Sequence, residues 1–405
     1  MEKLNTKQED ISRGMVLLLA IACGMIVANL YYAQTLVGPI SQATGLSTEA
    51  AGLIVTLTQL GYAFGLLFVV PLGDVLENRR LVTGALLFTS AALLIAALST
   101  SPSLFLVASL AIGVGSVAAQ ILVPFAAHLS REETRGQTVG KVVSGLLMGI
   151  MLARPAASLI ADHTSWHVVL GAASLMMGVL AIVLHRKLPS RMPARSLSYP
   201  KLIGSLWTLF RATPVLRRRA AYHVGLFGAF TLFWTITPLM LAGPRFHLSQ
   251  TEIAIFALVG MAGAVASPIA GRLADKGHTL YATASALILG MIGFALPMIA
   301  PESRVMALVL LTIASILLDM GVAANLVLGQ RAIFSLGAEA RNRLNGIYFA
   351  LFFVGGALGS VLGTWVLANY GWNAALMLGM GFPGLALVYW ITEVPRQGSA
   401  RHSTI

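Results

Sequence analysis

Two ionisable residues sit where charge is most costly. Of the 15 acidic residues in the chain, only Asp319 falls in the middle of a long apolar run; it lies about fourteen residues into that run, roughly 21 Å along a helix. A carboxylate at that depth can bind and release a proton as its surroundings alternate between wet and dry, which is what coupling transport to a proton gradient requires. The competing role is structural, a neutral or paired aspartate that only holds helices together. Arg154 is the only Lys or Arg set well inside an apolar run rather than at its end. It can anchor an anionic substrate, pair with Asp319 in one conformation, or snorkel to the outer headgroups.

Both residues matter only if their surroundings are lipid-embedded, and composition says so. Hydrophobic residues make up 57% of the 405-residue chain and charged residues 10%, with a mean hydropathy of +0.82; a soluble domain carries about 25% charged residues. Twelve runs are long enough to cross a bilayer as helices. The first six are Gly14 to Val37, Ala50 to Leu72, Leu81 to Leu98, Pro102 to His128, Thr138 to Ile160 and Trp166 to His185. The second six are Ala220 to Ala242, Glu252 to Leu273, Leu280 to Ile299, Val305 to Gln330, Leu344 to Ala368 and Trp372 to Ile391. Continuous apolar runs exclude the alternating pattern of a membrane barrel, so the expected fold is an all-α membrane protein.

The net charge of +12 resides in the short segments between runs. With the N-terminus inside, every Lys and Arg except Arg154, Arg245 and Arg304 falls on the inner side, which orients both termini to the cytoplasm. The first run is too long for a signal-peptide core and is expected to remain as a span. The lone cysteine, Cys23, permits no disulfide within the chain.

The chain reads as one unit written twice. Pro71 to Arg80 is a charged turn between apolar runs, and Gly271 to His278 is another; Asp74 and Asp275 stand 201 positions apart, and Trp166 answers Trp372 at a similar offset. Residues 1–186 and 220–405 are the expected six-helix halves, joined by a Pro-rich basic linker, 187–219, that is either a solvated tether or a surface-lying segment. Gly145 with Gly149, and Gly355 with Gly359, give small-residue faces for close helix packing.

The Gly271-Arg272-Leu273-Ala274-Asp275 turn resembles the loop signature of major facilitator superfamily transporters, and Asp74 with Arg79 and Arg80 resembles its first copy. The resemblance is strongest to bacterial drug:proton antiporter-like members, with departures. Arg154 and Ser158 replace glycines of the antiporter pattern beside Pro155, Val70 replaces the leading glycine of the first loop, and Ser109 stands where that pattern has an embedded arginine. The resemblance implies twelve transmembrane helices in two pseudo-symmetric halves. It also implies a cytoplasmic gate at Asp74, Arg79, Arg80, Gly271 and Asp275, with Asp74 facing the start of the eleventh helix. The cavity would be lined by the first, second, fourth, seventh, tenth and eleventh runs. Polar and aromatic residues on those runs are Asn29, Tyr32, Gln34, Gln59, Tyr62, Gln120, Trp234, Asn325 and Tyr348; each can hydrogen-bond or stack a partly apolar ligand, or else join helices.

The expected activity is therefore secondary transport by alternating access, exporting small amphipathic compounds against proton influx, with Asp319 and Arg154 as the coupling pair. A carrier for a specific metabolite, possible as an anion, and a non-transporting sensor are the alternatives. No nucleotide loop, nucleophile motif or convergent catalytic set is present, so an enzyme is not expected; nor is a cofactor or a metal, His163 and His167 lacking companion ligands. The expected partners are a small-molecule substrate, protons and the lipid bilayer, not nucleic acid, for a monomer in the bacterial inner membrane.

Overall fold

The structure is a computed structural model that describes residues 11–193, 198–336 and 341–393. Lys3, Lys7, Arg195, Arg396 and Arg401, which contribute to the charge asymmetry, lie outside the described residues. Every regular element among the described residues is a helix, as a backbone in hydrocarbon demands.

Eleven helical stretches are long and apolar enough to span a membrane. The spans are Arg13–Thr44, Leu53–Asp74, Asn78–Leu98, Pro102–Leu129, Arg135–His163, Trp166–Lys187, Pro214–Ala242, Gln250–Asp275, Thr279–Met298, Arg304–Phe334 and Arg341–Ile391. The last is two spans joined at Gly371, whose φ of 81° only glycine adopts without strain. Twelve membrane crossings result. The seventh helix starts at Pro214, ahead of the apolar run, because a proline in the first turn is already set to helical φ. The helix thereby takes up Arg217, Arg218 and Arg219. The first span is interrupted between Ala28 and Tyr32, where the Asn29 amide donates to the Ile26 carbonyl at 3.0 Å.

Side chains of the first six spans, among them Leu19, Leu86, Phe105, Leu122, Trp166 and Met177, form one apolar core. A second core is built on the last six, including Phe233, Trp234, Phe294, Leu318 and Phe352, and it takes in Tyr31, Tyr62 and Leu66 from the first six. The two bodies thus meet along the first, second and seventh spans.

The interface is unequal at its two ends. At the end away from the basic loops, the Gly52 amide donates to Thr364 Oγ1 at 3.2 Å, Thr56 and Ser360 hydroxyls lie 2.7 Å apart, and the Thr251 amide donates to Asp162 at 3.2 Å. At the basic end a cleft of about 810 Å³ opens between the bodies, lined by Asp74, His128, Arg135, Arg191, Arg343 and Phe349 among others. Below it runs the linker helix Tyr199–Ala212. Leu202, Leu206 and Phe210 pack upward against the core while Trp207 stays exposed. The Tyr199 hydroxyl donates to the Phe68 carbonyl at 2.6 Å, and Arg343 donates to Ser205 at 3.0 Å. The linker is therefore a docked surface helix touching both bodies.

Within the first body, the fifth span lies backbone to backbone on the first. A Cβ on Gly149 would strike the Gly24 backbone, and one on Gly145 would strike Ala20. Gly149→Ala is expected to lower stability by about 1–3 kcal/mol, read as a fall in the thermal unfolding midpoint of the purified protein; an unchanged midpoint would show that the two helices separate freely.

Candidate substrate and proton site

Arg154, in the fifth span, is 5% exposed. Its Nε donates to Gln34 Oε1 at 2.8 Å. Its guanidinium carbon lies 4.5 Å from the centre of the Trp234 ring, 4.8 Å from Phe230 and 5.3 Å from Tyr31. Aromatic faces attract a desolvated cation and replace part of its hydration. Phe230 and Trp234 are four residues apart, so one face of the seventh helix presents both rings. The interruption of the first span supplies Tyr31 just before the helix that carries Gln34. Arg154 accordingly sits inside the protein, and the headgroup placement considered for it does not describe this state.

Asp319, half-buried on the tenth span, accepts a hydrogen bond from Trp234 Nε1 at 3.0 Å. No ion pair joins Arg154 directly to Asp319. The indole touches both, its face toward the guanidinium and its N–H edge toward the carboxylate. The eighth span makes room for this arrangement at its tight turn Met261–Val265. A Cβ on Gly260 would lie 2.7 Å from the Trp234 ring, and one on Gly263 would lie 2.5 Å from Asp319 Cβ.

Three buried polar atoms near Arg154 have no protein partner: its own Nη2, Gln34 Nε2 and Ser158 Oγ, one turn farther along the fifth span. Buried donors are ordinarily satisfied.

The remaining candidates form separate groups. Gln59 donates to Thr231 at 3.3 Å, linking the second and seventh spans, and its Oε1 is unpartnered. Gln120 donates to the Tyr62 hydroxyl at 3.0 Å, and the Tyr62 ring leans on Phe353 at 4.6 Å. Asn29 bonds within its own helix, and Tyr32 is half-buried between the cores. The Asn325 amide lies 3.0 Å from His223 Nδ1, and the imidazole stacks on Tyr348 at 5.6 Å and meets Phe352 edge-on at 4.6 Å. His223 itself went unnoticed in the sequence because it stands three residues into the apolar run at Ala220; the helix begins at Pro214, which carries it deeper.

At the basic end, Asp74 lies within electrostatic reach of Arg343, in the first turn of the eleventh span, and of Arg191. Arg79 and Arg80 pair with Glu77 at 3.2 and 2.7 Å. A hydrogen bond from Ser190, reinforced by the two arginines, holds Glu77 below the usual carboxylate range. In the second copy of the turn, Asp275 pairs with Arg331 of the tenth span, beside Gly271. A further pair is buried: Arg219 meets Glu393 at 2.9 Å and donates to Thr283 at 3.1 Å, while the Tyr222 hydroxyl donates to Glu393 at 2.7 Å. Reading Arg219 as part of the linker missed this pair. No group of three or more His, Cys, Asp or Glu side chains able to hold a metal occurs among the described residues.

Comparison with known proteins adds a family. Residues 17–333 match the model described as Major Facilitator Superfamily. The chain is 38% identical over 391 residues to "Uncharacterized transporter YgaY" of Escherichia coli O157:H7, covering 96% of this chain and 98% of that protein. It is 31% identical to "Probable transporter SCO4007" of Streptomyces coelicolor, covering 88% and 82%. Among solved structures, the nucleoside transporter NupG matches with a TM-score of 0.73 at 15% identity, over 93% of this chain and 98% of that one. An inward-facing, unoccupied bacterial homolog of the human lysosomal transporter Spinster matches with a TM-score of 0.71 at 14% identity, over 93% and 95%. At such identities the structural matches speak for the fold alone.

The two ion pairs at the basic end should differ in worth. Arg219→Met strands Glu393 in a buried site and is expected to cost about 3–5 kcal/mol, whereas Arg331→Ala at the exposed pair costs at most about 1 kcal/mol. Unfolding of the two purified variants, compared side by side, checks the ranking; equal losses would contradict it.

Proposed function

The chain belongs to the Major Facilitator Superfamily and is a multi-pass membrane transporter, and on that premise we propose that it exports small amphipathic compounds by alternating access, coupled to proton entry. The observation that carries this reading is the Arg154–Trp234–Asp319 assembly: one carboxylate and one guanidinium, both within spans, held apart by a single indole. Asp319 is the proton site. Ionised, it draws on Arg154 across Trp234 and ties the tenth span to the seventh and fifth; protonated, it loses that attraction and the spans are free to shift.

The unequal interface supports alternating access. Hydrogen bonds from Gly52, Thr56 and Thr251 close one end, and the cleft opens at the other. The basic loops support an open end and both termini on the cytoplasmic side of a bacterial inner membrane, where an exporter loads its substrate. The turns at Asp74 and Asp275 are the latches of that side: both carry an aspartate facing an arginine of a neighbouring span. The drug:proton antiporter-like pattern in the sequence supports export over uptake, with Arg154 in place of the embedded arginine absent at Ser109.

Proteoliposomes loaded with a pH indicator and challenged with amphipathic dyes, drugs and metabolites test the reading. Wild type is expected to move protons with one compound class, and Asp319→Asn to lose proton movement and concentrative transport while still exchanging substrate at equilibrium. Equal proton movement in both would remove Asp319 from coupling; no flux of any compound would favour a sensor.

A further inference from the structure

We propose that Arg154, with the unpartnered donors of Gln34 and Ser158, binds the carboxylate of a small organic acid with an aromatic or branched apolar body. The inference deepens the transport reading above and rests on it for the route by which the ligand reaches the pocket. It starts from an imbalance: a buried guanidinium with no carboxylate in contact and with Nη2 unpartnered. Asp319 does not supply the missing contact, since Oδ1 accepts from Trp234 and Oδ2 faces Gly260.

The neighbouring orphans have matching chemistry. Gln34 Nε2 donates only, and its side chain is held against Arg154 through Oε1; the Ser158 hydroxyl can also donate. A carboxylate has two oxygens and about four lone-pair sites, and it can take bonds from several donors at once. A cationic ligand would instead meet like charge, and a neutral one would leave the guanidinium uncompensated. Tyr31, Phe230 and Trp234 already flank the cation, and rings beside an anion site select a ligand with an apolar body through stacking and area burial.

The open cleft at the basic end carries the same sign. Arg135, Arg191, Arg341 and Arg343 line the open cleft against Asp74 and Glu132, so its field concentrates anions at the mouth. A membrane potential negative inside then drives the anion outward, in keeping with export.

The test uses the purified full chain in detergent, titrated calorimetrically with benzoate, benzamide and benzylamine, which share a ring and differ in charge. Benzoate is expected to bind at least about tenfold more tightly than benzamide, the scale of a charge-assisted hydrogen bond, and benzylamine more weakly than either. Arg154→Gln should erase the preference. Gln34→Glu, which puts a carboxylate against Arg154 without removing it, should erase it too, and serves if Arg154→Gln does not fold; unfolding midpoints and size-exclusion profiles identify the folded variants. Equal binding of benzoate and benzamide, tighter binding of benzylamine, no binding of any of the three, or a preference that survives both pocket variants overturns the inference. Benzoate binding together with wild-type proton movement by Asp319→Asn would leave the anion pocket standing and remove the coupling proposal instead.

Discussion

A charge in hydrocarbon must be compensated nearby, and in this protein the compensation of one cation determines which helices meet. Arg154 is accommodated by one hydrogen bond to Gln34 and by three aromatic faces rather than by a contacting carboxylate. A full ion pair would have satisfied it more completely, but would also have fixed it. Rings leave the guanidinium partly satisfied and polarisable, a condition suited to a group that changes partners during a cycle. The first, fifth and seventh spans converge because each contributes to that cage, and the tenth joins through the Trp234 hydrogen bond to Asp319.

Glycines make the convergence geometrically possible. Gly260 and Gly263 have no side chain where Trp234 and Asp319 need space, and Gly24 with Gly149 bring the helix bearing Arg154 onto the first span. At the closed end Gly52 lies against Ser360 in the same way. Removing side chains from an interface shortens the distance between backbones and leaves few rotamers to lock it. Such surfaces pack closely with little to interlock, whereas within the second body the rings of Phe227, Phe352 and Phe353 interlock.

Much of this architecture is written locally in the chain. Apolar runs gave the helices because the bilayer leaves no other solution for twelve such segments, and the sixth span begins at Trp166 where its run does. The break at Gly371 falls between the last two runs, where glycine lets the backbone reverse. Asp319 and Arg154 stood out because their cost is a property of depth alone. Gln34 and Trp234 stood out as polar and aromatic candidates, but their pairing with Arg154 and Asp319 did not, since these side chains, with Tyr31 and Phe230, come together only through packing between helices distant in sequence. The seventh span shows the other limit. Three arginines before an apolar run look like a linker, but a proline start carries the helix over them and Arg219 pairs with the largely covered Glu393, and the same start places His223 among Asn325, Tyr348 and Phe352.

The position of Trp234 explains how two charged groups can communicate without contact. Its indole N–H is a donor only, so it can hold an ionised Asp319 but cannot accept from a protonated one. Proton binding on the carboxylate weakens the one bond that fixes the ring, and the same ring is a wall of the Arg154 cage. On the proposed coupling, a change of charge at the tenth span would reach the fifth through this ring, with no ion crossing the gap. In the proposed cycle the proton site and the ligand site share this one side chain, which is the least machinery that linkage between two sites requires.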